Sequence, residues 1–369
     1  MKYLKIIFFH YFKHVLIVFI VTVILLIFYI SSSYKSDNWI YLEHNSMLFE
    51  EERSIPIEIP YVNSFKRTIS LKKRKLNLDN FNYSGICSNP FKFKPNNKRD
   101  LIFNTVFYED LKTWKEQKKE IQEAISLSYY TIPFATKILY LYGDFNDKEF
   151  EELFIRNGYK IIRSKLKFEK NKKKKYIVSQ RYLDFEIYMK EHQNEYDRVV
   201  LTDVRDVYWF ADGFATISPD ELIFMHECGD VGNYQMECVN YGKLYDNNKN
   251  KEWIFNFYGS DELIYLEKTN KKVICAGFIA GSTKKMMKFL EVMNRQLKQK
   301  PQYLFEWGYD QATLNFVYHT GNLDFLNVTA NTITQRIGFD SRGIYNYSNK
   351  RKALYMNSNG CSPIIRHKI

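Results

Sequence analysis

Residues 11–30 read YFKHVLIVFIVTVILLIFYI, and from Val15 to Ile30 only Thr22 interrupts the apolar run. About 20 such residues are what a helix needs to cross a bilayer. Lys13 and His14 lie at the upstream end, where long side chains snorkel to the headgroups. Lys2, Lys5 and Lys13 precede the core of the run and only Lys35 follows closely. That asymmetry places residues 1–10 in the cytoplasm and makes residues 11–31 a signal anchor, with the bulk of the chain on the far side. A cleaved signal peptide is the alternative. The run is long for one, and Ile30-Ser31-Ser32-Ser33 is a poor small-residue cleavage site.

Downstream of the span, residues 32–98 show no sustained periodicity and carry Pro56, Pro60, Pro90 and Pro95. They read as a stem. The sequons Asn82-Tyr83-Ser84, Asn327-Val328-Thr329 and Asn346-Tyr347-Ser348 suit a lumenal domain. The chain has five cysteines, none in a C-x-x-C pair, which argues against a zinc site. Cys228 and Cys238 are the nearest pair, but spacing alone does not establish a disulfide. The net charge of +12 gathers partly in runs such as Lys172 to Lys175. No recognition helix, zinc-finger spacing or RNA-binding motif accompanies it, so no nucleic-acid partner is expected.

From Arg99 the texture changes. Strand signals at Leu101 to Phe107, Lys137 to Tyr142, Tyr159 to Ile162 and Val199 to Leu201 alternate with helical stripes. One helix is expected after Asp110, one between Asp147 and Asn157-Gly158, and one over Gln180 to His192. Such alternation predicts an α/β domain over residues 99–369, with a mostly parallel central sheet flanked by helices. Ligands of such sheets bind outside the carboxyl ends of the strands.

That rule gives meaning to Asp203-Val204-Arg205-Asp206, which follows Val199-Val200-Leu201-Thr202. Two neighbouring carboxylates at a strand exit repel unless a positive charge compensates them. A hard divalent cation can supply it, sharing carboxylate and phosphate oxygens. A structural ion pair with Arg205 is the plainer reading.

Several ordered blocks over residues 130–369 carry a resemblance. They are Arg181-Tyr182 before the motif strand, TDVRDV itself (202–207), Cys275-Ala276-Gly277-Phe278-Ile279-Ala280-Gly281-Ser282, Gly308-Tyr309-Asp310-Gln311 with Asn315, and a closing Ser362-Pro363 with His367. Together they resemble the nucleotide-diphospho-sugar transferases of GT-A (Rossmann-like) fold, in the subgroup with a TDVRDV strand. The resemblance implies a metal-dependent glycosyltransferase. Mn²⁺ or Mg²⁺ would be held by Asp203, Asp206 and His367. Arg181, Asp203, Arg205, Gly277 and Gln311 would line the site of the nucleotide-sugar donor. Asp310 and Glu227 are the candidate bases toward a glycan, protein or lipid acceptor, and Trp253 is a candidate sugar platform. The implied location is the Golgi membrane, single-pass type II, with the catalytic domain lumenal.

Two alternatives come from other classes. A catalytically inactive transferase-like protein that binds glycans or a partner would keep the core and dispense with the cation. A phosphatase of Asp-x-Asp type needs its carboxylates two residues apart, and here they are three apart.

Overall fold

The computed structural model describes residues 68–71, 74–107, 111–143, 147–164, 166, 176–227, 248–269, 271–331, 334–339 and 345–367. The expected anchor, the upstream part of the stem, Asp110, the lysine run, Cys228 and Cys238 lie outside them. Among the described residues no helix is long and apolar enough to cross a membrane.

The strands are β1 (Thr68–Leu71), β2 (Arg74–Asn77), β3 (Asp100–Phe107), β4 (Thr136–Tyr142), β5 (Tyr159–Arg163), β6 (Arg198–Asp203) and β7 (Val207–Trp209). They continue with β8 (Leu222–His226), β9 (Ile274–Ser282), β10 (Thr329–Asn331), β11 (Ile337–Phe339), β12 (Tyr345–Ser348), β13 (Ala353–Met356) and β14 (Ile365–His367). The helices are α1 (Leu111–Thr131), α2 (Lys148–Arg156), α3 (Gln180–His192), α4 (Asn248–Tyr258), α5 (Ser260–Lys268), α6 (Thr283–Leu297) and α7 (Tyr309–His319).

Local chemistry sets the helix ends. Asp147 accepts hydrogen bonds from the backbone N–H of Glu149 and Phe150 and so caps α2, while Gly158, at φ 80°, turns the chain out of it. Ser282 caps α6 by accepting from Lys285 N–H. The stripe Met286, Leu290, Met293 and Leu297 on that helix is fully buried, as its spacing predicts.

Seven strands form the main sheet in the order β10-β8-β9-β6-β3-β4-β5. All neighbouring pairs are parallel except the two that β9 makes, with β6 and β8. Both faces are covered, which explains the near-continuous apolar runs. Val106, Leu139 and Leu141 meet Ile121 and Ile125 of α1 and Phe150 and Phe154 of α2. On the alternate residues Phe103 packs on Phe185 and Tyr188 of α3. The crossovers run outward from β3 to β4 and β5, and the chain then returns to the other side of β3 as β6. Such a reversal leaves a crevice at the carboxyl ends of β3 and β6.

A second, three-stranded sheet in the order β11-β14-β7 packs its Ile337, Phe339, Ile365 and Trp209 against Val200, Ile223, Phe278 and Ala280 of the main sheet. The chain upstream of Arg99 joins the same body. Leu71, Leu76, Leu78 and Phe81 are buried with Phe210 and Leu354. Cys87 is bonded to Cys361, with Cα atoms 5.3 Å apart. The bridge closes a loop of 274 residues and ties this upstream segment to the strand that ends at His367.

Candidate metal centre and cleft

Asp203 is the last residue of β6, and Asp206 directly precedes β7. The chain therefore turns between two sheets over Val204 and Arg205. β14 runs antiparallel to β7 with His367 opposite Val207. That register returns the far end of the chain to the turn and sets its imidazole beside both carboxylates. His367 Nε2 lies 3.2 Å from Asp206 Oδ1 and 3.7 Å from Asp203 Oδ2. The donor atoms of the three side chains lie within 4.8 Å of one another.

The group passes a physical test for a cation. His367 is buried, yet its Nε2 makes no hydrogen bond of acceptable geometry among the described residues. Nε2 instead faces two carboxylate oxygens as an ion pair, and a cation that displaced its proton would find all three donors already converging. On the other side of the ring, Nδ1 is 3.4 Å from the buried thiol of Cys275. Burial opposes the charged imidazole, but Cys275 and Asp206 outweigh it and raise its pKa to about 10. Without a cation the site thus keeps a proton on His367 as partial compensation for its acids.

Gly277 makes this packing possible. Its position on β9 continues the β6 register one step past Thr202 and Phe278, opposite Asp203. A Cβ there would lie 2.3 Å from His367 Cε1 and 2.7 Å from Asp203 Oδ2. Gly277→Ala is expected to push two of the three candidate ligands out of place. Metal affinity should fall by about tenfold or more, with a stability loss of about 1–3 kcal/mol from overpacking. Calorimetric titration with Mn²⁺ beside a thermal melt checks both.

β9 is irregular at the same point. Its pairing with β8 jumps from Phe224–Ile279 to Met225–Cys275, leaving Ala276, Gly277 and Phe278 without partners on β8. The Ala276 backbone is used instead by side chains: its N–H donates to Gln311 Oε1, and its carbonyl accepts from Arg181 Nη2 and Tyr182 Oη. Asn315, one turn beyond Gln311, bonds both the N–H and the carbonyl of Ile274.

Arg181 sits at the start of α3 with its side chain 5% exposed. It donates through Nη1 to Asp203 Oδ1 and through Nη2 to Asp310 Oδ2 at 3.0 Å. Asp310 is itself buried in the first turn of α7, and burial raises its pKa despite Arg181. Arg181 and Asp310 are therefore committed to each other and to Asp203. Gln311 is committed likewise, since its Nε2 donates to Glu227 Oε2 and to Asn250 Oδ1. Arg205 is the more available cation. Its side chain is 42% exposed and loosely paired, 3.4 Å from Asp206 and 3.6 Å from Glu120.

These groups surround one cleft of about 390 Å³. One end holds Thr105 to Phe107 of β3 together with Asp203 to Asp206 and His367, at the crevice the topology predicts. Glu227, Gln311, Trp253, Trp307 and Tyr176 line the same cleft. All the site residues expected from the sequence thus border or support one cavity. Tyr176, Trp307 and Asn250 carry no signal in the sequence, because nothing local marks them as neighbours of the motif strand, and Cys275 shows there only as the first residue of its block. No protein-family model matches this chain, and no curated protein matches it.

Proposed function

We propose that the protein is a glycosyltransferase of GT-A type that uses a nucleotide-diphosphate sugar. The observation that carries this reading is the convergence of Asp203, Asp206 and His367 at the β3–β6 crevice, inside a cleft large enough for a small ligand. A divalent cation there, Mn²⁺ or Mg²⁺ by the oxygen-rich donor set, would act as a Lewis acid on the departing diphosphate. The two carboxylates and the imidazole would hold it.

The chain's own residues divide the remaining tasks. Arg181 fixes Asp203 and balances its charge, a positioning role instead of direct grip on the diphosphate. Arg205 is placed to reach phosphate oxygens at the mouth, since its present pairs are long and solvent-screened. Glu227 is the better placed of the two candidate bases. Its carboxylate lines the cleft and is held by the neutral Gln311 amide, whereas Asp310 is paired with Arg181. The Cys87–Cys361 bridge and the exposed sequon asparagines Asn327 and Asn346 accord with an oxidising, glycan-bearing compartment, and so with a Golgi-lumenal domain behind an N-terminal anchor.

The test is thermal stability of the full-length chain with Mn²⁺, UDP, GDP and their combinations. Metal plus one nucleoside diphosphate should raise the melting temperature, a stabilisation of about 2.7 kcal/mol when the ligand is a hundredfold above its Kd. Unchanged melting with metal and either nucleotide would sink the reading.

A further inference from the structure

Three aromatic side chains line the same cleft as the metal group, and the mechanism above uses none of them. Tyr176 precedes α3, Trp253 lies on α4, and Trp307 lies in the turn before α7. Trp307 is 52% exposed, an unusual state for so large an apolar surface. It is nevertheless fixed. Its ring centroid is 5.1 Å from that of Tyr176, tilted by 57°. The Tyr176 backbone N–H donates to the carbonyl of Phe305 at 2.9 Å, which ties the two segments together.

Trp253 is fixed by a different device. The next residue after Trp307, Gly308, has φ 84°, and a Cβ on it would lie 2.3 Å from the Trp253 ring. The left-handed glycine lets the indole lie flat on the backbone that enters α7. The Glu227 carboxylate lines the same cleft, held by Gln311, which is held in turn by Asn250, one helical turn before Trp253 on α4.

A preorganised aromatic wall joined to a fixed carboxylate is what a saccharide needs. The C–H face of a pyranose is apolar and stacks on an indole, and its hydroxyls donate to carboxylate oxygens. A lipid would need a continuous aliphatic groove, and a peptide an open strand edge or a charged track. We propose that Tyr176, Trp253 and Trp307 form the acceptor subsite, and that the acceptor is a glycan, stacked on Trp307 with a hydroxyl toward Glu227. This rests on the transferase reading of the same cleft.

The test uses the full-length chain and the methyl glycosides of β-galactose, β-glucose, α-mannose and N-acetyl-β-glucosamine as probes, with a short Ser/Thr peptide as the contrasting probe. At least one glycoside should change tryptophan emission saturably. Calorimetry should show that glycoside binding about tenfold or more weaker in Trp307→Ala, equivalent to about 1.4 kcal/mol. Trp307→Phe, which keeps a stacking face, should bind within about threefold of the parent. Both variants should keep the melting response to Mn²⁺ with UDP or GDP, which shows an intact fold. The proposal is overturned if no glycoside binds, if Trp307→Ala binds as well as the parent, or if the peptide alone binds in a Trp307-dependent way. Nucleotide binding without glycoside binding removes only the acceptor assignment. Loss of the nucleotide response in the parent chain removes the transferase reading and this subsite's role as an acceptor site with it.

Discussion

The double variant Asp203→Asn, Asp206→Asn is expected to lose sugar transfer by about a thousandfold or more while remaining folded. The size follows from removing the charges that would hold the counter-ion of a diphosphate leaving group, a stabilisation that no other group among the described residues of the cleft replaces. Arg205 carries a single charge and is half exposed. The fold should survive for a separate reason. Without a cation, Arg181 pairs with Asp203, and Arg205 and the protonated His367 pair with Asp206, so the substitution gives up ion pairs at one end of the cleft but leaves the apolar core untouched. Asparagine keeps an oxygen to accept from Arg181. The melting temperature in chelator should therefore fall modestly, because Arg181 and His367 are buried charges that lose their carboxylate partners, and the Mn²⁺-dependent shift should disappear. Transfer rates measured with a panel of UDP- and GDP-sugars decide the matter. A variant that transfers as fast as the parent would remove Asp203 and Asp206 from the machinery, and a parent that transfers none of the sugars would leave the inactive, glycan- or partner-binding reading as the better one.

The motif strand and its surroundings were legible because their signals are local. The near-continuous apolar runs of β3, β4 and β6, the Asp147 and Ser282 caps, and the stripe on α6 each lie within one element, and the structure keeps them nearly to the residue. The placement of Asp203 at a strand exit followed from chain direction alone. What the sequence could not show is pairing across long separations. Cys87 with Cys361 and His367 with Asp206 both depend on β14 lying along β7, and β14 is only three residues long, too short for periodicity to speak. His367 came from a family resemblance instead. Gly277 was visible as a glycine, but that its empty side is filled by an imidazole required the third dimension. Residues 68–98 read as stem because they are irregular, although Leu76 and Leu78 are as buried as the core strands.

Arg181→Met should be the most destabilising single change near the site, by about 3–5 kcal/mol, the usual result of stripping the partner from a buried charge. Methionine matches the reach of the arginine stem, so little of the loss comes from a cavity. The cost falls on Asp310, whose side chain is 6% exposed and whose counter-charge among the described residues is this guanidinium. Burial already lifts the Asp310 pKa with Arg181 present. Without it the carboxyl must take up a proton or remain charged in an apolar setting, and either is expensive at neutral pH. The sign follows from that rise: protonated Asp310 is the tolerated form, so the defect should ease as pH falls below neutrality and deepen as it rises. The second variant, Arg181→Met with Asp310→Asn, separates stability from function. Removing both charges should recover most of the lost stability, because a neutral amide is far cheaper to bury than an unpaired carboxylate. It should not recover metal affinity, because Asp203 has still lost the donor that fixes its Oδ1. Chemical denaturation of the three proteins, with Mn²⁺ titrations of each, reads the two effects independently. Full recovery of metal binding in the double variant would show that Arg181 serves α7 alone and has no part in aiming the metal-site carboxylate.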